Sequence, residues 1–498
     1  MNIVLITTEA VPFAKTGGLA DVCGALPVQL AEHGHDVAVI MPAFRQIHNA
    51  GQPISHTALT VHVTLEGRDY SARVLQSTLP GSEVPVYFID HPEMFDRPQL
   101  YGDSEGDYQD NCLRFSFFSQ ACIQAIDLLE LPVDIVHCND WQTGLVPAYI
   151  ATGFGGYAWM ERAATIMTIH NLAYQGVFHK HLLPQTGFGW EHFRADELEY
   201  YDQLNLLKTG LVFADTLSTV SARYAKEIQT DQHGCGLQGV LRRRAGSLVG
   251  IPNGIDTSVW DPATDPHLAM NYSISNWTQG KAANKRDLQE SFGLTSSEEA
   301  PLIGLVGRLA EQKGWDLVIE AMRHFLSTGN RAQWVVLGTG SPEYHEALSR
   351  LARHYSDRLG LHLGFSDALA HRIEAGSDIF LMPSRYEPCG LNQLYSLRYG
   401  TVPVVNPTGG LADTVVDATS ENINDGTATG FHLPTFDSYG MIETLSAAFS
   451  MRTNSPEKWA QIIQSGMTRD WSWGRSAIRY EQVYADTIAR KTGRVWGD

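Results

Sequence analysis

Apolar and polar positions along the chain fall into two successive series. The runs "NIVLITT", "DVAVIM", "VPVYFID", "VDIVHC" and "ATIMTIH" are almost continuously apolar. Runs of this length read as strands covered on both faces. Helix-like stretches separate several of them, such as the one from Asn111 to Leu129. The pattern restarts with "PLIGLVGR", "RAQWVVLGTG", "LGLHLGF", "SDIFLMPS" and "TVPVVNP", again interleaved with helical segments. This alternation predicts an α/β protein built from two Rossmann-like, doubly wound domains. The Pro/Gly/Asn/Asp-rich stretch "SLVGIPNGIDTSVWDP" divides the two series. The expected domains are therefore 1–245 and 246–475. The tail, 476–498, reads as a helix with an apolar face.

Composition narrows the partners. At 498 residues the chain exceeds a single core, which agrees with two domains. The formal net charge of -19 argues against nucleic acid, whose phosphates demand a basic surface. No apolar run is long enough to cross a bilayer, and the first strand follows the initiating Met with no basic leader. A cytoplasmic protein with no membrane partner is expected. Cys23, Cys112, Cys122, Cys138, Cys235 and Cys389 form no CxxC pair and no zinc spacing, so they read as reduced thiols.

Ligands of open α/β sheets bind beyond the carboxyl ends of the strands, so the polar residues there carry the functional argument. After the first strand comes "FAKTGGLADV", with Lys15 beside Gly17 and Gly18. It is either a phosphate-holding turn at a helix start or a tight turn with a solvated lysine. Asp140 and Trp141 follow "VDIVHC": a carboxylate and an indole suit a sugar, and equally an N-cap with a packed tryptophan. His170 ends "ATIMTIH", as a ligand for a hydroxyl or as a satisfied buried histidine. The insertion "LYGDSEGDYQDN" carries Tyr101 and is a lid or a surface loop.

In the second series, Arg308 follows a strand and Lys313 stands near a helix start. Two fixed cations there would neutralise a diphosphate, or simply decorate a solvated turn. "RYEPCGLNQLYSLRYG" places Glu387 at the next strand end. The amides of Cys389, Gly390 and Leu391 are expected at a helix N-terminus, where they would hold phosphate. "NPTGGLADTV" repeats the opening strand, Gly-Gly, helix device. Taken together, cations, glycine turns and two strand-end carboxylates suit a nucleoside diphosphate sugar.

The ordered set "KTGGLADV", "YQDNCLRF", "TIHNLAYQGVF", "IPNGID", "GRLAEQKGWDL", "SRYEPCGLNQLYSLRYG" and "TGGLADTV" resembles the bacterial glycogen/starch synthases of glycosyltransferase family 5, over nearly the whole chain. The resemblance implies a GT-B fold, with the two Rossmann-like domains facing a central cleft and the C-terminal helix crossing back to the first domain. It implies retaining transfer of glucose from ADP-glucose, as donor substrate, to the non-reducing 4-hydroxyl of an α-1,4-glucan, without cofactor. Arg308 and Lys313 would be the diphosphate cations. Glu387 would bind the donor glucose, with Cys389, Gly390 and Leu391 nearby. Lys15 and Gly18 would contact the donor, and Asn253 would face its glucose. Asp140 and His170 would lie by the reacting sugars, and Tyr101 in the bordering loop.

This chain departs from the family pattern at three places. Asn139 and Gln142 replace the histidines of "HDWH", and Asn392 replaces a threonine near the phosphates. No Asp-x-Asp pair occurs in the chain, which argues against a metal-bridged diphosphate. Alternatives of other kinds are a UDP-glucose transferase, a sugar-nucleotide epimerase and a non-catalytic glucan-binding protein.

Overall fold

The computed structural model describes residues 1–493, which form two compact units. The first comprises Met1–Gly254 together with the chain from Trp473 onward, and the second Ile255–Ser472.

The first unit is built on a nine-stranded sheet. Its strands are β1 (Asn2–Ile6), β2 (Asp36–Pro42), β3 (Ser55–Leu65), β4 (Arg68–Thr78), β5 (Pro85–Asp90), β6 (Ile135–Asn139), β7 (Ala164–Ile169), β8 (Thr216–Thr219) and β9 (Leu248–Gly250). The spatial order is β9-β8-β7-β6-β1-β2-β5-β4-β3. Strands from β9 to β5 run parallel, and β4 and β3 close the edge as an antiparallel hairpin. Ile3 to Ile6 are almost fully buried, as a strand covered on both faces requires. Helix α1 (Gly18–Glu32) follows β1, and α2 (Asn111–Leu128) precedes β6.

The second unit holds a six-stranded, all-parallel sheet. Its strands are β10 (Leu302–Val306), β11 (Gln333–Gly338), β12 (Leu359–Leu363), β13 (Ile379–Met382), β14 (Val402–Val405) and β15 (Phe431–His432). Their order is β12-β11-β10-β13-β14-β15. Helices α3 (Trp315–Ser327), α4 (Asn392–Tyr399) and α5 (Gly409–Thr414) follow β10, β13 and β14.

Both sheets reverse direction of growth at one strand. In the first unit β1 lies between β2 and β6, and in the second β10 lies between β11 and β13. Such switch points open a crevice at the carboxyl ends of the flanking strands. The candidate residues Lys15, Asp140, Arg308 and Glu387 follow β1, β6, β10 and β13.

Two boundaries differ from expectation. The contact division falls after Gly254 rather than at 246, because Leu248–Gly250 pairs in register with Leu217–Thr219 and so belongs to the first sheet. The last described helix, α6 (Trp473–Thr492), begins before 476 and packs within the first unit. There Tyr484 hydrogen-bonds His137 Nδ1 at 2.8 Å, and Thr487 meets Thr216 at 2.8 Å.

Candidate active site

In the first unit, the segment after β1 is organised by Glu9. Its carboxylate accepts from Thr16 N at 2.5 Å, Thr16 Oγ1 at 2.6 Å, Gly17 N at 3.2 Å and Tyr101 Oη at 2.8 Å. These bonds set the Lys-Thr-Gly-Gly turn at the start of α1. A Cβ added to Gly17 would meet no atom within 4 Å, so the turn's outer face is open. Lys15 is half-exposed and pairs with Asp21 at 2.7 Å. Gly18 is the first residue of α1, where amides lack intrahelical acceptors.

Tyr101 lies in the loop "LYGDSEGDYQDN". Its hydroxyl is turned inward, to Glu9 and to Thr8 at 2.8 Å. Its ring lies at 6.3 Å from that of Phe44 and 6.0 Å from that of Phe115.

The turn after β6 is strained. Asp140 has φ 57° and ψ -178°, a region that residues with a side chain seldom enter. Its amide is bonded to Thr168 O at 3.0 Å, and its Oδ1 accepts from His170 N at 2.7 Å. Burial pushes the Asp140 carboxyl up to about 7; the hydrogen bond from the His170 amide opposes this, and the charge of Glu9 adds to it. Burial also drives His170 down to about 3, so its imidazole is neutral at pH 7. His170 Nε2 lies 2.9 Å from Asn139 Oδ1, and Asn139 Nδ2 donates to Ile6 O at 3.1 Å. Asn139 therefore presents an acceptor, which puts the His170 proton on Nε2 and leaves Nδ1 as the basic nitrogen.

Trp141 follows the packed one of its two readings. It is 8% exposed and packs edge-on against Phe115 at 4.9 Å and against Phe178 at 5.9 Å. Gln142 is buried and its Oε1 has no hydrogen-bond partner among the described residues. Asn253 is also buried, and its Oδ1 likewise lacks a partner.

In the second unit, Lys313 and Glu387 meet directly. Lys313 Nζ is hydrogen-bonded to Glu387 Oε2, which also accepts from Ser384 Oγ at 2.8 Å. Gly314, at φ 72°, lets the turn before α3 press against Pro383; a Cβ there would lie 2.3 Å from Pro383 O. Gln312 completes the clamp, donating to Tyr386 O at 3.0 Å and accepting from Arg308 Nη2 at 3.2 Å. The Arg308 carbonyl is held by Trp315 Nε1 at 2.8 Å, while its guanidinium is exposed. Beside it lies a pocket of about 440 Å³, lined by Arg308, Glu311, Thr339, Gly340, Ser341 and Tyr344 among others.

Two expectations change here. Helix α4 starts at Asn392, with Leu391 as its N-cap, so Cys389 and Gly390 lie in the turn before it and not in its first turn. Asn392 does not offer its amide outward: Nδ2 donates to Val306 O at 2.8 Å, tying α4 to the end of β10. The second Gly-Gly pair follows β14 and opens α5, as expected, and it also supports Glu387. Gly409 has φ 47°, and a Cβ on it would lie 1.9 Å from Glu387 O. The amide of Gly410 donates to that same carbonyl at 3.0 Å.

The residues not anticipated are Glu9, Ser384 and Gln312. Glu9 had a visible signal: it is the lone charge in "NIVLITTEAVPFA". Ser384 and Gln312 had none, because their importance lies in which atoms they reach. Among the described residues no three His, Cys, Asp or Glu side chains form a metal cradle. No described helix is long and apolar enough to cross a membrane.

Comparison with known proteins bears on the geometry. The starch synthase catalytic domain profile matches residues 2–243, and that of glycosyl transferases group 1 matches 287–465. A glycogen synthase of Rhodopirellula baltica is 52% identical, over 98% of each chain. The chain belongs to the glycogen and starch synthase family. Another family member, a glycogen synthase of Anaeromyxobacter, is 46% identical over 98% of this chain and 100% of its own. The catalytic domain of starch synthase IV from Arabidopsis thaliana, solved bound to ADP and acarbose, superposes with a TM-score of 0.89 at 34% identity. It covers 98% of this chain and 99% of its own. Membership of the glycogen and starch synthases makes the chain a glycosyltransferase of the GT-B fold.

Proposed function

We propose that the chain transfers glucose from ADP-glucose to the non-reducing 4-hydroxyl of an α-1,4-glucan, with retention at the anomeric carbon. The observation that carries this reading is the convergence of Arg308, Lys313 and Glu387 at the ends of β10 and β13, beside a pocket large enough for a nucleoside. The relative solved with ADP and acarbose supports a nucleotide donor and a saccharide acceptor.

Arg308 and Lys313 stabilise the negative charge that grows on the departing diphosphate, and Lys15 and the Gly18 amide add to that field. Glu387 accepts from hydroxyls of the donor glucose, its orientation fixed by Lys313 and Ser384. The turn Cys389–Leu391 and the unpaired Oδ1 of Asn253 supply further polar contacts to the donor. Asp140, when ionised, faces the positive charge developing on the sugar, and neutral His170 accepts from a hydroxyl through Nδ1. Tyr101 keeps the acceptor-side loop in place.

The acceptor oxygen bonds to the anomeric carbon on the face that ADP leaves, as the bond to the phosphate oxygen breaks. The acceptor's proton passes to that phosphate oxygen. Cations replace a metal in this scheme, consistent with the lack of an Asp-x-Asp pair in the sequence.

Incorporation of radiolabelled glucose into glycogen, from ADP-glucose or UDP-glucose in buffer with EDTA, tests the proposal. Incorporation from ADP-glucose that survives EDTA is expected. Incorporation from UDP-glucose alone would reassign the donor, and none from either by folded protein would sink the reading.

A further inference from the structure

Glu9 is 3% exposed, and its carboxylate lies where three segments of the first unit meet. Oε2 accepts from the amides of Thr16 and Gly17, which open the Lys15 turn. Oε1 accepts from the hydroxyls of Thr16 and Tyr101. Tyr101 is in turn held by Thr8 through its hydroxyl and by Asn111 through its carbonyl, both at 2.8 Å. All four partners can donate, two as backbone amides and two as hydroxyls, an environment that suits a carboxylate. A buried carboxylate is costly unless its lone pairs are filled. Its placement here exceeds what a strand-to-helix turn needs, since a neutral acceptor would cap that turn at lower cost.

We infer that Glu9 is a positioning residue for glucosyl transfer, one buried carboxylate that fixes the Lys15 turn and the Tyr101 loop in a single arrangement around Asp140. It touches neither sugar; it acts through the residues it holds. This inference rests on the proposed roles of Lys15, Tyr101 and Asp140. A displacement of about 1 Å in such groups costs on the order of 10²-fold in rate. Glu9 has a second, electrostatic effect. Its charge is one of those that hold the Asp140 carboxyl up, and the other titratable groups in reach of Asp140 are Tyr101, Cys23 and His170. Cys23 is raised by burial and stays a thiol, Tyr101 is raised well above its ordinary range, and His170 is neutral. Glu9 is thus the charged neighbour that a substitution can remove.

Two variants separate geometry from charge. In Glu9→Gln the amide oxygen can keep both backbone donors, while its NH₂ donates to hydroxyls that turn to accept. Glu9→Ala loses all of these contacts. The expected results are a fall in kcat of about 10²-fold for Ala and less than about tenfold for Gln. In Gln the acid limb of the pH–rate profile moves below that of the parent. Parental kcat in a folded Ala variant, or an unmoved limb in Gln, overturns the inference. If the Ala variant does not fold, Tyr101→Phe, which removes one donor, replaces it, and a kcat equal to the parent's is the overturning result. If the parent transfers no glucose, the proposed reaction has failed by itself. Melting temperature against pH then decides Glu9: the loss of stability as Asp140 ionises must end at lower pH, and be smaller, in Gln, and coincident curves overturn the inference.

Discussion

The ammonium of Lys313 is bonded to the carboxylate of Glu387, across 74 positions of sequence. Opposite charges are thus held together at the ends of two adjacent strands, β10 and β13. An ion pair of this kind fixes each partner's direction, and Ser384 adds a second hold on Glu387. Removing either leaves the other uncompensated, and Glu387 is the more buried.

Lys313→Ala and Glu387→Ala are each expected to lower kcat/KM by about 10²-fold or more, as loss of a charge-stabilising group does. Lys313→Ala should also destabilise the fold by about 2 kcal/mol, because a charged hydrogen bond to a buried carboxylate is lost. The double variant should recover part of that stability and none of the activity. Denaturant melts of the four proteins, alongside steady-state rates, check this. Additive losses of stability would show that the pair is not coupled.

Asp140 gives a pH dependence of definite sign. Its folded value, about 7, lies above the ordinary carboxyl range, so the native state prefers the neutral form. Its contribution to stability is full below the unfolded value, near 4, and is lost as pH rises through 7. Asp140→Asn should therefore melt higher than the parent at pH 8 and similarly at pH 4. The rate should behave in the opposite sense: the ionised form faces the cationic sugar, so kcat/KM falls as pH drops through about 7, and the Asn variant loses that limb. A parent profile flat from pH 5 to 8 would remove Asp140 from the reaction.

The extent to which the site was legible can be seen residue by residue. Arg308, Lys313 and Glu387 stand out in sequence because strand ends expose polar groups to ligands in this fold class, and the structure brings them together. Glu9 was not legible as a hub, since two of its donors are backbone amides and a third, Tyr101, lies 92 positions away. Trp141 stayed open between two readings, because an indole beside a strand-end aspartate has the same signature whether it stacks on a sugar or on Phe115. The hairpin of β3 and β4 went unread although Glu66 and Gly67, both at positive φ, mark its turn. Its alternating polar and apolar residues lacked the continuous runs of the parallel strands. The short edge strand β9 hid inside a Gly/Pro-rich stretch, which displaced the boundary.

Asn392 tests a departure from the family pattern. Its Nδ2 caps the Val306 carbonyl at the end of β10, so its role is to join α4 to the strand that carries Arg308. Asn392→Thr shortens the side chain and leaves that carbonyl without its partner, at a cost of about 1 kcal/mol. The KM for ADP-glucose should change less than about threefold, as the amide was not aimed at phosphate. Donor kinetics and a thermal melt distinguish this from direct phosphate binding, which would show as a large change in KM with little change in stability.

Gly409 gives a test of support acting at a distance from the chemistry. Its φ of 47° disfavours any side chain, and a Cβ would stand 1.9 Å from the Glu387 carbonyl oxygen, far inside contact distance. That oxygen is also the acceptor for Gly410 N, so it cannot retreat without breaking a bond. Gly409→Ala must therefore push the Glu387 turn as a whole. A destabilisation of about 2 kcal/mol or more is expected, with kcat/KM reduced by about 10²-fold because Glu387 and its partner Lys313 move together. Gly239→Ala is the matched control: it lies exposed in a helical segment, Gln238–Arg243, with no atom within 4 Å of the new Cβ. That change should stabilise by about 0.5–1 kcal/mol and leave the rate untouched. A Gly409→Ala protein with parental kinetics would show that the Glu387 turn tolerates displacement, and that the second Gly-Gly pair serves packing alone.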